Sequence, residues 1–165
     1  MSSPIHTFMP RIEKKGDTGV TSSPIALQSS HNPTQSLPSV CNLFPKAFPN
    51  DYKSIEILAG DGNSPGSIRF ITYGPSSELV KTSKEKIESV DLEKRSFTYS
   101  IMDGDMLKYY KSFTGTITVT PKDGGSLVKW SGEFVKTGHE IEDPHVIKDF
   151  AVKNFKEIDE HLLKQ

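Results

Sequence analysis

Between His139 and His145 lie Glu140, Glu142 and Asp143, all side-chain types that ligate divalent metals. Their spacing matches no zinc motif, and Pro144 divides the two histidines between a loop and a helix, so no metal is expected. The run Gly60-Asp61-Gly62-Asn63-Ser64-Pro65-Gly66 has the glycine content of a phosphate cradle. It lacks the Gly-Lys-Ser/Thr that sets a lysine and a hydroxyl on a nucleotide, and it leads into a strand rather than a helix N-terminus. It reads as a turn in which glycine permits positive φ. Cys41 has no oriented base in its neighbourhood and makes no nucleophile. Lys111 falls inward by strict alternation between Tyr109 and Phe113, where a lysine of lowered pKa beside a carboxylate would be a nucleophile or base. A lysine near a strand end more often carries its ammonium outward. No catalytic residue and no cofactor are expected.

The elements that would position these groups divide the chain in two. Residues 1–40 are rich in Ser, Thr and Pro, with apolar residues scattered singly and no period of 2 or 3.6, and they are expected to be a disordered tail. From Cys41 to Gln165 the pattern is that of one folded domain. Leu43-Phe44-Pro45 and Ala47-Phe48-Pro49 suggest a short helix stopped by proline. Tyr52 to Leu58 and Ile68 to Tyr73 are β-rich runs on either side of the glycine turn. Phe97, Tyr99 and Ile101 alternate with polar residues, and Asp103-Gly104 turns the chain into a run carrying Tyr109, Phe113, Ile117 and Val119 on one face. After Pro121-Lys122-Asp123-Gly124-Gly125, Val128, Trp130 and Phe134 face one way while Lys129, Ser131 and Glu133 face the other. One apolar and one wet face describe an antiparallel sheet packed on one side.

The cover for that sheet follows. Asp143 suits a helix N-cap and Pro144 the first turn, and Val146, Ile147, Phe150, Ala151, Phe155, Ile158 and Leu162 recur at spacings of three and four up to about Lys164. A long helix on one face of an antiparallel sheet is an α+β layer solution. The inward set could be ordinary core, yet Tyr73, Tyr99 and Trp130 carry polar tips that need partners when buried, and Asn154 interrupts the helix's apolar face. An apolar lining with a few convergent polar groups is what a small-molecule cavity requires.

Composition narrows the partners. The chain of 165 residues has a formal charge of −1 with 25% charged and 34% hydrophobic residues, and its signs are interspersed, so no basic stripe marks nucleic acid. No apolar run approaches the roughly 18 residues of a membrane span, and the single cysteine cannot form an internal disulfide. A soluble protein of a reducing compartment is expected.

Four separated segments carry a resemblance: Asn42-Leu43-Phe44-Pro45-Lys46-Ala47-Phe48-Pro49, Leu58 to Ile68, Lys129-Trp130-Ser131-Gly132-Glu133, and Asp143-Pro144-His145 with the helix behind it. In order and spacing they resemble the major latex protein branch of the birch pollen allergen (Bet v I) superfamily, over about residues 42–165. The resemblance implies a START-like helix-grip fold, with a curved antiparallel sheet wrapped round the long C-terminal helix. It also implies a cytoplasmic plant protein of defence or stress responses that binds a steroid-, flavonoid-, hormone- or lipid-like molecule without chemistry. A family alignment adds Arg69 and Ile71 beside Tyr73 on one strand, and Val146, Ile147 and Phe150 on the helix, to a lining of Phe97, Tyr99, Ile101, Phe113, Ile117, Val128, Trp130, Phe134 and Asn154. Ribonuclease-like activity and cavity-based condensation are the enzymatic alternatives known from relatives. A hormone-receptor branch has gate and latch sequences that are absent at Gly74-Pro75-Ser76-Ser77 and Gly104-Asp105-Met106. The family's first strand and first short helix have no counterpart in the Ser/Pro-rich start. Their loss would leave the strand Ser126 to Val135 as an exposed edge, open to self-association.

Overall fold

The computed structural model describes residues 17–27 and 40–163. Seven strands form one sheet: β1 (Thr18–Leu27), β2 (Tyr52–Ala59), β3 (Ile68–Tyr73), β4 (Thr82–Asp91), β5 (Ser96–Gly104), β6 (Tyr110–Lys122) and β7 (Gly125–Lys136). A short helix α1 (Val40–Ala47) precedes β2, a 3-10 turn (Asp105–Lys108) links β5 to β6, and the long helix α2 (His145–Leu163) closes the described chain. Every neighbouring pair is antiparallel, in the order β1-β7-β6-β5-β4-β3-β2, so the sheet is open with β1 and β2 at its edges. This is the α+β arrangement of a curved sheet on one long helix.

The first strand is present, contrary to the sequence expectation. β1 pairs with β7 over ten residues, from Thr18 opposite Val135 to Leu27 opposite Ser126, with no register shift. The expected structureless tail is therefore a strand at 18–27, and β7 is not an exposed edge. Residues 1–16 and 28–39, where the rest of the tail and the first short helix would fall, lie outside the described residues. The physical reason the strand escaped notice is its inward set, Gly19, Thr21, Ser23 and Ile25, which is small and mostly polar, while Val20 points outward at 67% exposure. No apolar alternation marks it. Pro24 is compatible with its place, since a strand at the edge of a sheet tolerates a missing donor.

Three glycines shape the concave face. A Cβ on Gly115 would come 2.2 Å from the Tyr99 ring, one on Gly132 would come 2.6 Å from Phe113, and one on Gly19 would come 2.6 Å from Phe134. Each aromatic ring reaches across the neighbouring strand over a glycine, which stands directly opposite Tyr99 and Phe134 and diagonally to Phe113. The rings then pack on one another: Phe113 stacks on Trp130 at 6.2 Å and Tyr110 meets Phe134 edge-on at 5.5 Å. Phe155 and Ile158 of α2 complete this core, and α2 lies over β1 and β7.

The short helix α1 ends at Ala47, two residues before Pro49, and accommodates Pro45 inside it, while one local expectation changes. Asp143 does not cap α2 with its side chain: its carboxylate takes the Lys136 ammonium at 2.7 Å, while the Lys148 amide donates to the Pro144 carbonyl at 3.0 Å.

Two measurements check this architecture. Amide exchange across Thr18–Leu27 is expected to show alternate residues protected by the β7 ladder, and exchange at unstructured-peptide rates throughout would show that β1 is not seated. Gly115→Ala is expected to lower the urea-unfolding free energy by about 1 to 3 kcal/mol through displacement of the Tyr99 ring; an unchanged midpoint would contradict the packing described.

Candidate functional site

Inward-facing residues of β3, β4 and β5 form a polar pole in this aromatic floor. Arg69 Nη2 lies 3.4 Å from Glu85 Oε1, both side chains at 7% exposure, and the guanidinium sits over the Phe97 ring at 5.5 Å. Arg69 Nε is buried without a hydrogen bond among the described residues, and the buried Ser83 hydroxyl lies by the Tyr73 phenol. Burial pushes the carboxyl of Glu85 up, with Arg69 pulling it back. The phenols of Tyr52, Tyr73 and Tyr99 are all held well above their usual range, first by burial and then by the nearby charge of Glu85. Trp130 Nε1 donates to Tyr99 Oη at 3.1 Å, so these two polar tips satisfy each other. Asn154, buried on α2, donates to the Phe150 carbonyl at 2.6 Å and leaves its own Oδ1 unbonded.

A separate opening lies at the end of β3. A cavity of about 220 Å³ opens between the β3–β4 loop, Met106 of the 3-10 turn and the first turns of α2. Tyr73, Val80, Met106, Ile147 and Phe150 give it an apolar wall, and Ser76 and Lys153 stand at its polar side. Phe150 meets Tyr73 edge-on at 5.6 Å and Tyr52 at 5.9 Å, which ties the helix to β2 and β3 at this point.

Of the residues singled out from the sequence, the cavity brings together Tyr73, Val146, Ile147 and Phe150, with Val146 59% exposed at the rim. Arg69, Ile71, Phe97, Ile101, Phe113, Ile117, Val128, Trp130 and Phe134 are buried on the concave face, and Tyr99 is partly buried against them. Sequence reasoning missed Ser83 and Glu85. Both face inward on β4, a strand whose buried positions Ser83, Glu85 and Ile87 are mostly polar and so carry no apolar alternation.

Two chemical alternatives lose their residues. Tyr110, 4% exposed, takes the inward place on β6, and the register shift between Tyr110 and Ser112 turns Lys111 out to solvent. Strict alternation misplaced Lys111 because it ignored this bulge. In the glycine loop, Asp61 occupies the position an anion would take. Its Oδ1 accepts the amides of Asn63 and Ser64, each at 2.8 Å, and its Oδ2 accepts the Ser64 hydroxyl at 2.7 Å. The amides of Gly62, Gly66 and Ser67 are also bonded within the fold, and Gly60, Gly62 and Gly66 all have positive φ as the turn reading requires. Among the described residues no cluster of His, Cys, Asp and Glu suits a metal, and His139 Nδ1 instead meets Asp17 Oδ1 at 2.9 Å.

Beside the cavity mouth a carboxyl pair ties three elements together. Asp51, 2% exposed, accepts from Ser76 of the β3–β4 loop and from Lys153 Nζ of α2 at 2.7 Å. Backbone bonds reinforce the tie, with the Gly74 amide donating to the Asp51 carbonyl and the Ser76 amide to that of Asn50, both at 2.8 Å. Burial works against the Asp51 charge, but hydrogen bonds from Glu157, Lys153 and Ser76 outweigh it and hold this carboxyl below its usual value. Burial and the adjacent Asp51 push Glu157 up to about 7, with Lys153 partly opposing them. A carboxyl whose folded pKa is raised binds a proton that the unfolded chain has already lost. Its stabilisation is complete below the unfolded value of 4.5 and disappears as pH rises through about 7. Unfolding free energy is therefore expected to fall between pH 5 and pH 7.5 by about 1 to 2 kcal/mol, allowing for the water that still reaches Glu157. Glu157→Gln should flatten that slope; urea titrations at the two pH values decide, and an unaltered slope would remove the pair from the account.

The chain is 77% identical over 124 residues to MLP-like protein 423 of Arabidopsis thaliana, covering 75% of this chain and 80% of that one. It is 35% identical over 127 residues to a Panax ginseng protein named Ribonuclease 1, covering 74% and 81%. The crystal structure of ginseng major latex-like protein 151 from Panax ginseng superposes with a TM-score of 0.81 at 22% identity, covering 88% of this chain and 97% of that one. A family profile matches residues 35–165, and on that match the chain belongs to the pathogenesis-related protein Bet v 1 family.

Proposed function

We propose that this protein binds an apolar small molecule at the mouth cavity and the concave face behind it, and carries the ligand without changing it. The observation that supports this reading best is the apolar cavity walled by Tyr73 of β3, a strand on whose same face Arg69 keeps a buried, unbonded Nε. Buried polar atoms normally find partners, and a ligand's polar group would supply them. The chemistry that catalysis would use is less well provided. Lys111 faces solvent, and Lys153 at the mouth has its pKa raised, chiefly by its bond to Asp51, so it stays an ammonium rather than a nucleophile. A reservoir in the plant cytosol, active in defence or stress, is the setting that the resemblance to major latex proteins implies.

Native mass spectrometry of the protein purified from plant tissue would identify a retained ligand directly. In vitro, the neutral fluorophore N-phenyl-1-naphthylamine is expected to bind with enhanced emission. Phe150→Asp should weaken that binding at least tenfold, and Val146→Asp, at an exposed position where folding is not at risk, about threefold. Unchanged titrations in both variants, with circular dichroism showing native folds, would rule out this site.

A further inference from the structure

Resting on the carrier reading above, we propose that the buried Arg69–Glu85 pair selects ligands with a neutral hydrogen-bonding head group, such as a hydroxyl or carbonyl on an apolar body, and rejects carboxylates. A lone arginine in an apolar cavity would invite an anion, since guanidinium and carboxylate form the strongest paired hydrogen bonds available to proteins. Here the invitation is already answered. Glu85 stands 3.4 Å from the guanidinium, both side chains at 7% exposure, so the charge of the pole is balanced before a ligand arrives.

The groups around the pair carry no further charge. Tyr52, Tyr73 and Tyr99 remain neutral phenols, because burial and Glu85 raise all three. An entering carboxylate would thus bring an uncompensated negative charge into a region where it also faces Glu85, and burying an unpaired charge is costly. A neutral head group meets no such cost. It finds an unbonded donor at Arg69 Nε, already removed from water. The single contact between Arg69 and Glu85 is long and uses one nitrogen and one oxygen, so the pair has hydrogen-bonding capacity left over.

Reach is consistent with a single elongated ligand. Arg69 and Tyr73 lie on the same face of β3, four residues apart, which at roughly 3.3 Å per residue separates them by about 13 Å. Tyr73 already forms part of the cavity wall. A head group at the pole and an apolar tail at the mouth would span that distance.

The test uses the full chain at pH 7.5 and displacement of N-phenyl-1-naphthylamine by decanol and by decanoate, which differ only in the head group. Decanol is expected to displace the probe at concentrations at least tenfold lower than decanoate. Glu85→Gln, which leaves the arginine without its partner, should reverse the preference. Should that variant fail to fold, the double variant Arg69→Gln/Glu85→Gln, with no charge at the pole, is expected to bring the two ligands within threefold of each other. Failure of the fluorophore to bind the natural protein at all would sink the carrier reading and this inference with it. Binding of the fluorophore together with decanoate displacing it as well as decanol does would leave the carrier reading intact and overturn the selectivity proposed here.

Discussion

A sheet with one apolar face has to be covered, and in this protein the cover and the sheet meet through aromatic rings laid over glycines. Tyr99 crosses Gly115, Phe113 crosses Gly132 and Phe134 crosses Gly19, so that each ring occupies space on the adjoining strand. The arrangement makes the floor of the concave face smooth and dense, and it leaves α2 to contact that floor at Phe155 and Ile158 and the strands β2 and β3 through Phe150. Open volume is accordingly displaced toward the β3 end, where the loop between β3 and β4 and the 3-10 turn stand away from the helix. Where the site can be is thus a consequence of where the rings already are.

What was legible in the sequence follows the same logic. Strands with an apolar inward set, such as Phe97, Tyr99 and Ile101 or Val128, Trp130 and Phe134, announced their faces through period-2 alternation, and α2 through its stripe. Strands whose inward positions are polar or small did not. β1 turns Gly19, Thr21 and Ser23 inward, and β4 turns Ser83 and Glu85 inward, so hydropathy gave no sign of either the first strand or the partner of Arg69. Lys111 was misplaced for a different reason, since a bulge shifts register by one residue and flips the face of everything before it. The positions unreadable by pattern are also the ones that give the concave face its polar character.

The glycine-rich loop illustrates how composition and geometry part company. Three glycines with positive φ and a run of amides would suit a phosphate, yet the carboxylate of Asp61 binds the amides of Asn63 and Ser64 and is held far below its usual pKa by those bonds and by Ser64. A side chain of the loop itself plays the part of the anion. The loop's rigidity serves the β2–β3 connection, which in turn fixes the register that puts Arg69 and Tyr73 on the inner face.

The seat of β1 makes few demands on the segment that fills it. Its partner β7 offers a backbone ladder ten residues long, the Phe134 ring needs a residue without a side chain opposite, and one apolar side chain, Ile25, is buried at the far end. Most of the attachment is written in main-chain hydrogen bonds, which are blind to sequence. The slot is therefore interchangeable: segments of quite different composition could close the same sheet, provided they bring a glycine and a single hydrophobic residue at the right spacing.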